Sequence, residues 1–575
     1  MNKKDRKRRG EIKSLLVFAF SFTIFIFVTG LSLSYVKGVD KWIIISKIPH
    51  SFRVVGRKGL RFFQDLPYIK YEFQKHGLPV YNLKVDEKDL RFLRSNIPDA
   101  SEQMTDEYKV YVPATFEYGS KEYGVRIRNR GVSKNHWLWP KKSIRVQFND
   151  DLFQGIKNLN LITPTDRLYL VEEFNHYRAK RLGLFVPRSF FVVVTTNSKD
   201  SAIYWAVEHY EKEMLETAQM SSDANFYGEG DAYIQETLYD FLYSSVFNWK
   251  KYNNDVRFSE DNYADIDLLI NLINSENDTR FANNIFSVVD EDSFYAWSVH
   301  NALVFGQHQD WGHNIRLYFD SSVGKFKFVP IDVGMKDVDK DLSGEDFFEE
   351  HTNHLMNKIL SFPRFMRERN KRLWNYLSDD NNLKEELEYY DHLYERTKVA
   401  FYQDKIRRMN NQHIDRQVSE YRRRIVNNTE KLRKLFTEVE IRHSFKRVGE
   451  DVKTKIYTKT LSPIILKSAV VSGVKSVGGD IAIIDENNKV VCRDVDLVEE
   501  GKIVLECDPN MIFPDISQVQ LEAPDNVSSI ADKYFKANKV NEKRTSYRII
   551  GAKSEKIRLE FINLYTNEVS SLDIN

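Results

Sequence analysis

The chain predicts an α+β protein with a strand-rich first part, a helical middle and an all-β end. Three observations predict it. Residues 82–217 hold short β-type runs separated by turn residues. Residues 218–450 carry apolar residues at helical spacing with few Gly or Pro. After Asp451, short alternating runs return, punctuated by Gly, Asn and Pro.

The N-terminus stands apart from all three. Lys3, Lys4, Arg6, Lys7, Arg8, Arg9 and Lys13 precede Leu15–Val36, which holds no charge. A helix needs about 20 apolar residues to cross a bilayer. The run exceeds the roughly 7–15 residues of a signal-peptide core and no A-x-A site follows, so a retained anchor is expected, with a cleaved signal peptide as the alternative. The basic flank stays cytoplasmic. The expected protein is therefore single-pass in a bacterial cell membrane, with residues 1–37 as tail and anchor, 38–81 juxtamembrane, and the bulk outside.

At 575 residues the chain has room for two or three domains. Its 85 Lys and Arg nearly balance 83 Asp and Glu, interspersed, so no global field points to nucleic acid. The 38 Phe and 30 Tyr are enough for sizeable cores.

In the first part, Val110–Phe116 and Tyr123–Arg130 bracket a Gly119 turn, and Ser143–Phe148 follows a break at Pro140. Thr163-Pro164-Thr165-Asp166 reads as a helix start and Gly183 as its stop, with Leu168, Val171, Phe174 and Tyr177 between at helical spacing. Ser189–Thr195 and Ala202–Glu208 form a hairpin around Asn197. In the middle, Leu238–Trp249, Ile266–Asn274, Ser293–Val304 and most of Arg364–Arg447 read as helical. At the end, Ile464–Leu466, Ile481–Ile484 and Ile503–Cys507 suggest a small β-sandwich over 451–575. Cys492 and Cys507 either form a disulfide or remain two buried thiols; no C-x-x-C pair suggests zinc.

The chemistry concentrates in two short segments. Gln309-Asp310-Trp311-Gly312-His313-Asn314 runs into an apolar strand, Ile315–Phe319. A turn at Asp320–Gly324 leads to a second strand, Lys325–Val329, ending in Pro330-Ile331-Asp332-Val333-Gly334. Protein kinases use this order: a catalytic Asp and a metal-binding Asn, a hairpin, then a second metal-binding Asp next to Gly. The same residues also suit a plain turn cap and strand end. Strands, one helix and two strands before a helical region complete the layout of a bilobal protein-kinase-like fold, with a β-rich N-lobe over 82–217 and a helical C-lobe over 218–450.

Upstream lie Arg126-Ile127-Arg128-Asn129-Arg130-Gly131-Val132-Ser133, then Lys141-Lys142-Ser143, Gly155-Ile156-Lys157-Asn158-Leu159-Asn160-Leu161, a helical segment, and a strand ending in Glu208. Together with the Asp310–Asn314 and Pro330–Asp332 loops, this collinear series resembles the spore-coat protein H (CotH) kinase-like family over roughly residues 105–445. One departure is visible: where the family often has P-W-D-x-D, Ile331 replaces the Trp and Gly334 the second Asp.

The resemblance implies an atypical kinase that uses ATP and Mg²⁺. Asp310 is then the base that orients the acceptor hydroxyl, and Asn314 and Asp332 are the metal ligands. The Asp310–Asn314 gap is one residue shorter than in ordinary protein kinases. Lys142 is the candidate nucleotide-contacting lysine, with Lys141 and Arg145 as runners-up. Glu173, or its neighbour Glu172, is the helix acid that pairs with it. Arg128 and Arg130 are the phosphate holders, since guanidinium forks suit phosphate oxygens. Glu208 ends the strand before the hinge, where backbone at Val207–His209 is expected to face adenine. His308 and His313 are expected to be supporting residues. The expected function is membrane-anchored phosphorylation of an envelope protein or glycan. The alternative is a catalytically inactive pseudokinase or scaffold in an envelope or exopolysaccharide assembly; a different phosphodonor, such as a pyrophosphate-type polymer, is a further alternative.

Overall fold

The structure is a computed structural model. It describes residues 64–99, 102–230, 242–306, 308–337, 353–448, 451–472, 482–485, 490–499, 502–507, 512–513, 543–550 and 556–574. The expected anchor at 15–36 lies outside them. Among the described residues, no helix is long and apolar enough to cross a membrane.

The chain divides into two compact units. In the small one, a 3-10 helix at Leu66–Phe73 meets residues 408–415: Tyr68 OH donates to Asp415 Oδ2 at 2.5 Å, and Asn411 N donates to Asp65 Oδ1 at 2.8 Å. The large unit holds everything else described.

The large unit begins with a closed barrel. Its strands are β1 (Val80–Lys84), β2 (Val112–Tyr118), β3 (Lys121–Asn129), β4 (Ile144–Phe148), β5 (Asn158–Ile162), β6 (Ser189–Thr196) and β7 (Asp200–Glu208), in the spatial order β1-β2-β3-β4-β5-β7-β6. Every neighbouring pair is antiparallel except β1 with β6, which is parallel and closes the ring. Residues 80 and 81 therefore belong to the barrel and not to a juxtamembrane segment. Alternate residues fill its interior, including Tyr81, Phe116, Ile127, Val146, Phe148, Leu159 and Leu161. Phe116 and Phe153 contribute edge-to-face contacts at 5.0 Å. The turns at Gly119 and Asn197 take the left-handed conformation, with φ of +60° and +50°. Helix α1 (Glu87–Ser95) follows β1, and α2 (Val171–Arg181) lies between β5 and β6.

The helix expected from Asp166 starts five residues later. Leu168 and Tyr169 have φ of +51° and +63°, which no helix accommodates, so 163–170 is a strained turn.

Beyond the barrel come α3 (Lys212–Thr217), β8 (Phe226–Glu229), β9 (Trp249–Asn253), α4 (Ala264–Ile273), α5 (Asp278–Val288), α6 (Glu291–Val304), β10 (Arg316–Asp320) and β11 (Lys325–Phe328). Strands β8–β11 form a four-stranded sheet in the order β11-β10-β8-β9, so the expected hairpin is part of a larger sheet. The helix expected over Leu238–Trp249 is corrected where described: 242–248 form two 3-10 turns and Trp249 opens β9. Helices α7 (His354–Leu360), α8 (Pro363–Leu377), α9 (Asp380–Gln403) and α10 (Asn411–Thr437) follow.

The fold is mixed α+β, but a clean two-lobe division is not what the core shows. Ala179 of α2, with Leu184 and Val186, joins the same buried cluster as α4–α8 and β10–β11. Apolar surface is continuous from the barrel's helix into the helical half.

The last region is an antiparallel sheet that starts earlier than expected, at β12 (Glu440–Val448). It continues through β13 (Asp451–Lys459), β14 (Ile464–Ser472), β15 (Ala482–Asp485), β16 (Val490–Glu499), β17 (Lys502–Cys507), β18 (Ile512–Phe513), β19 (Lys543–Ile550), β20 (Lys556–Asn563) and β21 (Val569–Ile574). A boundary at 451 would cut the β12–β13 hairpin. The strands form one ten-stranded sheet around one core, not two sheets. Cys507 is disulfide-bonded, and the only other cysteine, Cys492, stands opposite it in the β16–β17 ladder. The sheet is anchored to the helices: Leu461 enters the cluster of Leu373, Leu432 and Phe436, and Tyr565 stacks on Trp374 at 6.2 Å.

Candidate active site

The site is built on the two loops flanking the β10–β11 hairpin. Gln309 pins the first. It is buried, accepts from Trp297 Nε1 at 2.7 Å and Asn301 Nδ2 at 3.1 Å, and donates to Asn314 O at 3.0 Å. Trp297 in turn stacks on Phe328 at 4.3 Å, so α6, the loop and the hairpin are locked together. The second loop is held by α10: Arg424 Nη1 donates to Met335 O at 3.1 Å and Asn428 Nδ2 to Lys336 O at 3.2 Å. Arg423 reaches the buried Asp337 at 2.8 Å. The basic stretch 422–424 is thus committed to structure.

Asn314 and Asp332 both adopt left-handed backbone, with φ of +59° and +50°. Such strain in non-glycine residues costs roughly 1–3 kcal/mol each and concentrates at functional sites. His308 joins the two. Its Nδ1 lies 2.8 Å from Asp332 O, 3.6 Å from Asp332 Oδ1 and 3.4 Å from Asn314 Nδ2. Asn314 Nδ2 also donates to His308 O at 3.0 Å, which leaves its amide oxygen as the unengaged end. The contact with Asp332 pushes His308 up to about 9.

Asp310 sits in the same loop but is turned to its own neighbours. Its Oδ1 accepts from Gly312 N at 2.9 Å, His313 N at 2.8 Å and His313 Nδ1 at 3.0 Å. One oxygen thus shapes the turn, and Oδ2 has only a longer 3.3 Å approach from His313.

The groups around Asp332 correct two expectations. The cation that meets it is Arg167, whose Nη1 lies 2.6 Å from Asp332 Oδ1 and 2.9 Å from Asp166 Oδ2. Lys142 is elsewhere: its Nζ donates to Trp137 O, and burial and Arg94 bring it down to about 8. Lys141 is buried against Asp404 at 2.5 Å. The acid is Glu172, which accepts from the Asp332 backbone N–H. Glu173 points the other way, accepting from Ser189 Oγ at 2.6 Å and Trp205 Nε1 at 2.8 Å. Burial would raise the Asp332 carboxyl, but Arg167 and His308 outweigh it and hold it well below the usual carboxylate range. Glu172 is pushed up to about 7 by burial and by Asp332, so the proton of this pair belongs to Glu172.

The sequence motifs now have causes. A Cβ at Gly131 would fall 2.1 Å from the His136 ring. That ring spans Ser143 Oγ at 3.0 Å and Asp166 Oδ2 at 3.2 Å, tying the R-x-R-G and K-K-S segments to the strained turn that presents Arg167. Ser143 Oγ also accepts from Thr163 N at 3.0 Å.

The expected phosphate holders lie on the barrel's outer face. Arg128 is opposite Arg145, and Arg145 opposite Asn160, across β3, β4 and β5. Arg130 follows at the end of β3; burial, then Arg145 and Arg167, bring it down to about 9. Its Nε and Nη1 are sealed from solvent without any hydrogen-bond acceptor. Each such N–H leaves about 1–3 kcal/mol of desolvation uncompensated.

Glu208 is a further correction. It is buried and forms a two-pronged pair with Arg188, at 2.8 and 2.9 Å. Its N–H donates to Arg188 O and that of His209 to Asn158 O, so this backbone is spent inside the sheet and not open to a purine.

The donor set fits a hard divalent cation: Asp332 and Asn314 both offer oxygen, the ligand type Mg²⁺ takes. Arg167, Asp166, Glu172 and His308 are the site residues sequence reasoning passed over or placed second. Only Glu172 left a signal, since it lies four residues before buried His176, on the face α2 turns inward.

No curated protein matches this chain. The family model described as CotH kinase protein matches residues 127–457, which takes in β4–β7 of the barrel, both hairpin loops, helices α2–α10 and β12. With more than half its length matched, the chain belongs to the CotH kinase protein family.

Proposed function

We propose that this chain is a kinase-like phosphotransferase. It would transfer a phosphoryl group from ATP, with Mg²⁺, to a hydroxyl on an envelope protein or glycan. Residues 15–36 would anchor it with the bulk outside the membrane, and a disulfide-bonded Cys507 suits such an oxidising location. The observation that carries the reading is the meeting of Asn314 and Asp332 through His308, both in strained backbone, beside the paired Arg167 and near Arg130, two of whose N–H groups lack acceptors. Phosphoryl transfer is mostly positioning and charge neutralisation, and these are what the site supplies.

Asn314 and Asp332 would hold the cation. Bound there, Mg²⁺ would neutralise charge on the phosphates. Arg130 would contribute positive charge beside the phosphates. Asp310 would accept the acceptor's hydroxyl proton on Oδ2 while Oδ1 keeps the loop in shape. Arg167 would hold Asp332 ionised and oriented.

Calorimetric titration of the full-length protein in detergent tests this. ATP should bind with Mg²⁺ present and bind at least roughly tenfold more weakly without it. ATP binding that ignores Mg²⁺ would sink the assignment of Asn314 and Asp332. An inactive scaffold is the second reading, and one observation favours it: Arg167 already neutralises Asp332 at 2.6 Å. Radiolabel transfer to an envelope extract separates the two.

A further inference from the structure

The candidate site is bordered by guanidinium groups beyond those that its own carboxylates pair. Arg167 is matched by Asp166 and Asp332, and Arg316 by Glu229. Arg128, Arg130 and Arg145 have no described carboxylate within ion-pair distance, and Asp106, Asp166 and Glu211 act on them only from farther away. Arg128 donates only to Asn129 O and lies over the Tyr111 ring at 5.2 Å. Arg145 donates to Asn160 Oδ1 at 2.9 Å and approaches His209 Nδ1 at 3.4 Å.

These groups form one continuous track. Arg130 senses both Arg167, beside Asp332, and Arg145. From Arg145 the track reaches His209, whose ring meets Tyr252 at 5.7 Å, and Arg316 lies over Tyr252 at 4.9 Å. Burial, and then Arg145, Arg130, Arg316 and Arg128, hold His209 well below its ordinary range, and Arg145 is the guanidinium in contact with the ring. A nucleotide places an uncharged base beside its triphosphate, and an apolar slot suits that base. Here the groups beyond Arg130 are cations, polar residues on β3–β5, and the Tyr111, His209 and Tyr252 rings, which are already covered by guanidinium groups or by one another. Burying like charges together is unfavourable unless an anion joins them. The anion that matches an extended cationic track is itself extended.

We propose that this cleft takes a linear inorganic polyphosphate, with its terminal phosphate at the Asp332 end and its chain along Arg130, Arg145 and Arg128, as a phosphoryl donor. The proposal rests on the phosphotransferase reading above. In the transfer, the terminal P–O anhydride bond breaks and the shortened chain leaves with the bonding electron pair. The acceptor hydroxyl oxygen forms the new P–O bond, and its proton passes to Asp310. No oxidant, reductant or nucleotide is needed, so a site outside the membrane would not depend on exported ATP.

The test is titration of the full-length protein in detergent, with Mg²⁺, against tripolyphosphate, a longer linear polyphosphate and ATP. The longer polyphosphate should bind about tenfold or more tightly than ATP, displace it, and weaken steeply with added salt. Arg145→Met and Arg128→Met should each weaken polyphosphate about tenfold and ATP less than about threefold. Two variants are used so that one that misfolds leaves the other, and Arg145→Lys should recover part of the loss. ATP binding without polyphosphate binding or competition would overturn the proposal and leave the ATP reading standing. Polyphosphate binding without ATP binding would do the reverse. Polyphosphate binding unchanged in the folded variants would place it elsewhere and overturn the proposal, as would binding of neither ligand.

Discussion

The barrel and the C-terminal sheet are both largely antiparallel, yet they treat cations in opposite ways. On the barrel's outer face Arg128 faces Arg145, and Arg130 keeps two sealed N–H groups without acceptors. On the C-terminal sheet Arg558 is exposed and forked onto Asp573 at 2.8 and 3.2 Å, and Arg442 pairs with Glu440. The second pattern keeps strands soluble and, screened by water, adds little to stability. The first works against stability. An anion from outside the chain would remove that cost on the barrel, which is what the proposed function asks of these guanidiniums.

The largest effect expected from breaking that contrast is at Asp332. Asp332→Asn should remove Mg²⁺-dependent ATP binding, a loss of roughly 100-fold or more in affinity by calorimetry. It should also lower the melting temperature, because Arg167 loses one of its two carboxylates. Unchanged binding with a lowered melting temperature would leave Asp332 as a structural partner of Arg167 alone.

Asp310→Asn comes next. It keeps an oxygen to accept from Gly312 and His313, so the loop and ATP binding should survive. Radiolabel transfer should fall by roughly 10²-fold or more, the usual loss for a general base. Equal labelling by wild type and variant would remove Asp310 from the chemistry.

Arg130→Met sharpens the comparison most directly. It should weaken ATP by about tenfold and leave stability unchanged or raised, since it removes sealed, unsatisfied N–H groups. Arg558→Met on the other sheet should change neither binding nor the melting temperature appreciably. A melting temperature that falls sharply in Arg130→Met would mean the guanidinium is structural.

The smallest effect is a pH dependence. Glu172 sits near 7, above its unfolded value of 4.5. The stability this shift gives is complete below the unfolded value and is lost as pH rises through about 7. Cation affinity runs the other way, because ionised Glu172 adds negative charge beside Asp332. Mg²⁺ affinity should therefore rise a few-fold between about pH 6 and 8, and Glu172→Gln should flatten that rise. His308, near 9, stays protonated across this window. An unflattened rise would assign the titration to another group.

Much of the fold was legible because its signals are local. Gly119 and Asn197 mark hairpins through turn chemistry, and the strands beside them fall within a residue or two of expectation. β1 was not legible: five residues with a parallel partner far along the chain leave no local pattern. At 163–170, Pro164 and Asp166 imitate a helix start, but His136 and Asp332 draw Asp166 and Arg167 into a turn instead. For the site, Asp310, Asn314 and Asp332 were legible as an ordered series. The choice between Glu172 and Glu173 was not, because adjacent helix residues differ by about 100° and only docking decides which one faces the loop. Arg167 left no signal, since its role is an ion pair between loops more than 150 residues apart.

The parallel closure of the barrel also constrains how the protein is made. β1 is among the first described strands to emerge during synthesis, yet its partner β6 follows roughly a hundred residues later. Until then β1 has only β2, and the opposite edge of its ladder stays open. A pause in synthesis or export anywhere between residues 84 and 189 would leave that edge exposed while the rest of the cylinder waits. The interval between β1 and β6 is where this chain is most exposed to mispairing, and where a chaperone would gain most by holding it.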